Sequence, residues 1–125
     1  MKLIVFISFL YIINIQSDIV NVSYYGKEHH GKKTASGEIF NMNKLTTAHK
    51  KLPFGTMIEM TNIRNNKSIV VKVNDRGPYI TGRTFDLSKA AFDSIGDIKR
   101  GVIKVKFKII KWKTLTTQNQ KPPSK

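Results

Sequence analysis

The clearest period in the chain lies near its end. From Val102 to Ile110 (VIKVKFKII) apolar residues alternate with lysines, the period-two pattern of a strand with one face buried and one in water. Three more runs are rich in β-branched or aromatic residues: Ile19 to Tyr25 (IVNVSYY), Thr56 to Asn62 (TMIEMTN) and Ser68 to Val73 (SIVVKV), the strongest of them. Arg64-Asn65-Asn66-Lys67 joins the last two with hairpin-turn chemistry, because asparagine tolerates positive φ. Leu52-Pro53-Phe54-Gly55 predicts a turn, since proline sets φ and glycine frees it. Only Leu87 to Ile95 (LSKAAFDSI) spaces its apolar positions like a helix, with Asp86 near the N-cap and Gly96 at the end. Gly26 to Lys33 and Asn74 to Arg83 read as loops, Thr34 to Phe40 as a turn and a short extended piece, and Asn41 to His49 is ambiguous. Five or six short strands and one short helix predict a small, mainly β domain that closes into a barrel, because closure removes open edges.

The two ends lie outside this pattern. Leu3 to Ile13 is an apolar run of 11 residues behind Lys2, broken by Asn14, Gln16 and Ser17. That is a signal-peptide core and is short for a membrane span, so residues 1–17 are expected to direct export. Ile15 is a poor residue for the cleavage signature, and an uncleaved anchor or a buried first strand are the competing readings. After signal removal no transmembrane span is expected, and the product belongs in the periplasm or cell envelope. Residues 18–112 form the predicted domain. The lysine-rich stretch 113–125, with Pro122-Pro123, is expected to be a disordered tail.

Composition narrows the chemistry. The 125 residues have room for one core. There is no cysteine, so disulfides, thiolate catalysis, cysteine zinc sites and a cysteine-linked lipid anchor are excluded. Of the 22 basic residues 18 are lysine, against 8 acids, giving a net charge of +14. Such a surface suits an anionic envelope polymer. Nucleic acid is not expected as a partner, because no cluster of arginines and aromatics appears. His29-His30 lacks the ligand spacing of a metal site, and phosphate-binding loops and G-x-S-x-G are missing, so neither metal nor cofactor is expected.

Asp75 follows the strongest strand, in Val73-Asn74-Asp75-Arg76-Gly77-Pro78-Tyr79. Local chemistry alone makes this a turn. A carboxyl on a rigid strand end beside an aromatic is also how a general acid is built, since desolvation favours the protonated form. Glu38 is either an exposed polar position or a second carboxylate that meets Asp75 on folding, and paired carboxyls flanking a sugar bond are the recurrent arrangement of glycosidic cleavage. His49 could orient one of them or bind substrate.

Five blocks together resemble the rare lipoprotein A (RlpA) family of bacteria: Ser23-Tyr24-Tyr25-Gly26, His30 to Glu38 (HGKKTASGE), Thr47 to Thr56 (TAHKKLPFGT), Val73 to Pro78 (VNDRGP) and Gly82 to Ser88 (GRTFDLS). They occur in family order over about residues 22–110. The resemblance implies a double-psi β-barrel. It implies an endolytic peptidoglycan lytic transglycosylase acting on glycan strands stripped of stem peptides, with Glu38, His49 and Asp75 as the functional positions. Tyr25, Arg76 and Tyr79 are expected to touch substrate. The family is named for a lipid-bearing cysteine that this chain lacks. Barwin, expansins and one class of endoglucanases share the Asp-Arg-Gly-Pro type of block, so a non-catalytic glycan-binding barrel is the alternative.

Overall fold

In the computed structural model, which describes residues 18–111, six strands close into one barrel. The strands are β1 (Asp18–Tyr25), β2 (Thr46–Ala48), β3 (Met57–Asn62), β4 (Ser68–Asp75), β5 (Phe85–Ser88) and β6 (Val102–Lys111). A single α-helix, α1 (Lys89–Ile95), and a short 3-10 turn (Ile98–Arg100) sit between β5 and β6. The expected export segment and tail lie outside the described residues. The circular order is β1-β5-β2-β4-β3-β6. β1 runs parallel to β5 and β2 parallel to β4, while the remaining pairs are antiparallel. This is the mainly β, double-psi barrel that the five blocks imply.

Alternation along the strands makes the core. On β6, Ile103 and Val105 point inward and the intervening lysines outward, and Val71 and Val73 do the same on β4. They meet Val22, Ile58, Met60, Phe85 and Leu87 inside the barrel. Burying each such side chain contributes roughly 1.5–3 kcal/mol. The helix adds Ala91, Phe92 and Ile95 to this core, with the Phe92 ring centroid 4.8 Å from that of Tyr24. Asn66, in the β3–β4 turn, has the positive φ (64°) that its residue type allows.

Three local expectations change. The helix starts two residues later than Asp86 suggests: Ser88 is the N-cap, its hydroxyl accepting from the Ala91 N–H, and Asp86 belongs to β5. The ambiguous Asn41–His49 stretch contains β2. Asp75 is the last residue of β4, not part of the following loop.

Candidate active site

The parallel strands deliver their C-terminal ends to one place. Tyr25 ends β1, Ala48 ends β2, Asp75 ends β4, and Asp86 lies on β5. Together with His29, Arg76, Gly77 and Pro78, and with Tyr79 and Ile80 at the lip, they line an open cleft of about 200 Å3. A small second cluster of Tyr25, Phe40 and Ala48, flanked by Met42, packs beneath it.

Asp75 is held from three sides. Its Oδ1 accepts from the main-chain N–H groups of Ala35 and Arg76, both at 2.9 Å, and its Oδ2 accepts from the Tyr25 hydroxyl at 3.2 Å. Its main-chain carbonyl accepts from the His49 N–H at 3.1 Å. The Ala35 contact depends on the turn around it. Thr34 N–H bonds the Glu38 carbonyl at 2.7 Å and Gly37 N–H bonds the Thr34 carbonyl at 3.0 Å. Gly37 takes φ 88°, a conformation that L side chains rarely adopt. The Thr-Ala-Ser-Gly-Glu block is therefore a tight turn that aims one amide at the carboxylate. On the other side of Asp75, Gly77 takes φ 121° ahead of the Gly77-Pro78 bond, which is cis.

Glu38 is carried by the same turn, but its carboxylate points elsewhere: Oε2 bonds Lys72 Nζ at 2.9 Å, in a partly exposed pair. The fold thus brings the Glu38 turn to Asp75 through the backbone of Ala35. Glu38's own described side-chain partner is Lys72 on β4.

His49 follows β2. Its Nδ1 accepts from the N–H groups of Lys51 and Leu52, both at 3.0 Å, so a neutral ring carries its proton on Nε2. The ring centroid lies 4.9 Å from that of Phe85. Burial, together with the Arg76 and Lys50 charges, holds the imidazole below the ordinary histidine range, which favours that neutral form.

Arg76 turns away from the carboxylate beside it. Nη1 donates to the carbonyls of Leu52 at 2.9 Å and His49 at 3.3 Å, and the guanidinium carbon sits 3.9 Å from the Phe54 ring centroid. It clamps the turn after His49. Tyr79 is 80% exposed, a free aromatic face at the lip. Tyr25, by contrast, is only 9% exposed; its ring stacks on Phe40 at 4.5 Å and makes a T-shaped contact with the His29 ring at 5.4 Å.

Sequence reasoning missed Asp86. It is the second carboxylate in the cleft, with Oδ1 accepting from Ser23 Oγ at 3.0 Å. Burial raises its pKa, against the opposing effects of the Ser23 hydrogen bond and the Arg83 charge. Its neighbourhood in Phe85-Asp86-Leu87-Ser88 resembled a helix cap, which hid a strand residue. The signal that could have found it is its place inside one of the five blocks.

Larger depressions lie elsewhere. One of about 900 Å3 is lined by Asn62, Ile63, Arg64, Arg100, Val102 and Lys104, among others. Its one carboxylate, Asp97, is engaged: Oδ1 accepts from Lys99 N–H, capping the 3-10 turn. It therefore lacks the paired acid groups of the smaller cleft. No group of three or more candidate metal ligands occurs among the described residues.

Residues 18–107 match the lytic transglycolase family. A probable endolytic peptidoglycan transglycosylase RlpA of Treponema pallidum is 51% identical over 83 residues, 66% of this chain and 26% of that protein. One from Synechocystis sp. is 51% identical over 88 residues, 70% of this chain and 27% of that protein. The chain thus spans about a quarter of the length of these curated relatives. Among solved structures, a mutant Clavibacter michiganensis expansin in complex with cellohexaose superposes with a TM-score of 0.61 at 16% identity, over 74% of this chain and 50% of that one. At that identity the likeness is one of fold.

Proposed function

The chain belongs to the lytic transglycolase family, and on that premise we propose that it is an endolytic peptidoglycan lytic transglycosylase. The bond cleaved is that between N-acetylmuramic acid and N-acetylglucosamine, in glycan strands free of stem peptides. The protein works in the cell envelope, after export.

One observation carries the reading: Asp75 is fixed at the wall of a cleft whose lip presents an exposed tyrosine, the two elements a polysaccharide site needs. Protonated Asp75 gives its proton to the bridging oxygen as the C1–O bond breaks. The carboxylate then takes the proton from the C6 hydroxyl of the same muramic residue. The C6 oxygen attacks C1 and closes the 1,6-anhydro ring. The nucleophile is part of the substrate, so a single carboxyl serves as acid and then base, and holding the sugar replaces a bimolecular step. Tyr79 stacks on a sugar face. His49 and Glu38 act around this group: the His49 N–H and the turn carrying Glu38 hold Asp75 through main-chain contacts. The surplus of lysines favours an anionic wall.

The test is digestion of purified denuded glycan followed by mass analysis of the ends. Anhydro-muramic ends are expected from the wild type, and Asp75→Asn should lower turnover by ~10²–10⁴-fold. Plain reducing ends would make the protein a hydrolase. Binding to glycan with no product from any form would leave only a binding barrel.

A further inference from the structure

We propose that Tyr25 is a positioning residue of the reaction: its buried hydroxyl fixes which oxygen of Asp75 carries the transferable proton and aims that oxygen into the cleft. The inference rests on the transglycosylase reading for its consequence, but the pairing itself is independent of it.

A carboxylate oxygen has two acceptor directions in its plane. Oδ1 of Asp75 has both taken by main-chain donors, the N–H groups of Ala35 and Arg76, each at 2.9 Å. Oδ2 has one described donor, the Tyr25 hydroxyl at 3.2 Å. The vacant direction on Oδ2 is where a proton can reside without breaking a backbone bond. Tyr25 sets the rotation of that oxygen, and the packing shows how it can. The ring stacks on Phe40 at 4.5 Å, meets the His29 ring in a T-shaped contact at 5.4 Å, and is 9% exposed. A phenol so held has little freedom to follow the carboxyl; the carboxyl must follow it. The same packing covers one face of the Tyr25 ring with Phe40 and leaves the side chain 9% exposed, which favours a positioning role over the substrate contact expected of it. Burial and the Asp75 charge raise its pKa far above that of an ordinary phenol, so the hydroxyl remains a donor at any working pH.

Tyr25→Phe tests the assignment, since it keeps the ring and its packing and removes one oxygen. In glycan digestion kcat should fall on the order of ten-fold with KM within about two-fold of wild type. Tyr24→Phe is the control. That hydroxyl bonds the Ile98 carbonyl, away from the cleft, and its loss should leave both readouts alone. A raised KM with unchanged kcat in Tyr25→Phe would return the residue to substrate binding and overturn the proposal, as would kcat and KM both unchanged.

An activity-free measurement separates this from failure of the transglycosylase reading. In thermal melts, the Tm losses of Tyr25→Phe and Asp75→Ala should be clearly less than additive in the double variant, because each removes the same bond. Additive losses would mean that the pair does not exist in solution and would overturn the proposal, whatever the activity. If the losses are non-additive but no glycan product forms, the pair stands, while its assigned role in proton transfer falls with the activity.

Discussion

Replacing Arg76 by alanine separates two roles for a residue inside the most recognisable block of the chain. The guanidinium makes two bonds to the turn after β2, to Leu52 O at 2.9 Å and His49 O at 3.3 Å, and covers the Phe54 ring at 3.9 Å. A bond from a charged donor contributes about 1.5–3 kcal/mol, and a cation over an aromatic face about 0.5–1 kcal/mol at a partly exposed site. The second bond is long and the side chain is half-buried, so the low ends apply, giving roughly 2–3 kcal/mol in all. In a domain of this size 1 kcal/mol moves Tm by about 4–8 °C, so Arg76→Ala should melt on the order of 10–15 °C lower. Circular dichroism melts read this directly. Glycan digestion well below the transition should show a reduced kcat with little change in KM, because the loosened turn carries the His49 amide that holds the Asp75 carbonyl. A Tm within about 2 °C of wild type together with a KM raised about ten-fold would refute the clamp and put the guanidinium on the glycan.

Two pH predictions follow from burial. His49 is held below its ordinary value of 6.5, so the unfolded chain takes up its proton first. The stability this group contributes is present above pH 6.5 and is lost as pH falls through the interval below it. Denaturation midpoints followed from about pH 7.5 to about pH 5 should decline in wild type more than in His49→Asn, and equal slopes would contradict the shift. Asp86 has the opposite sign: its value is raised above 3.8, so its stability contribution is present below that pH and is lost as pH rises through the folded value. Asp86→Asn keeps an acceptor for Ser23 Oγ and should melt higher than wild type near pH 7, with the advantage gone near about pH 3; a lower melt at neutral pH would sink the argument. If that more stable variant also digests glycan more slowly, the ionised carboxylate is kept for the cleft at the fold's expense.

The elements legible in the sequence are those whose information is local. β6 announces itself because Lys104, Lys106 and Lys108 face water while Ile103, Val105 and Phe107 meet the core. β4 and the Asn66 turn are legible for similar reasons. β2 and β5 are not, because strands of three and four residues are too short to display a period, and most of their residues are buried. β5 is doubly concealed. Leu87 falls in helical step with Ala90 and Ala91, so the pattern runs on through the true cap at Ser88. Asp86 and Ser88 both have N-cap chemistry, and placing the cap at Asp86 removed a carboxylate from the site.

The site follows the same logic with higher stakes. Asp75 beside Arg76, Gly77 and Pro78 is a turn by every short-range rule, and those rules are right about Gly77, whose φ only glycine readily adopts. What makes Asp75 more than a turn residue is supplied from far along the chain: Ala35 is 40 positions away and Tyr25 is 50. Parallel pairing of β1 with β5 and of β2 with β4 brings these groups to one end of the barrel, and parallel strands need long connections. The blocks that resemble a known family are largely those connections and the strand ends they join. Their residues are constrained by one another across the cleft. Arg76 illustrates the limit of reading such a block residue by residue. Its charge next to a carboxylate suggests either an ion pair or a substrate contact, yet the geometry spends it on carbonyls of the neighbouring turn. A position inside a functional block can therefore serve the site wholly through the backbone it holds, and only variants that separate KM, kcat and Tm distinguish that service from contact with the glycan.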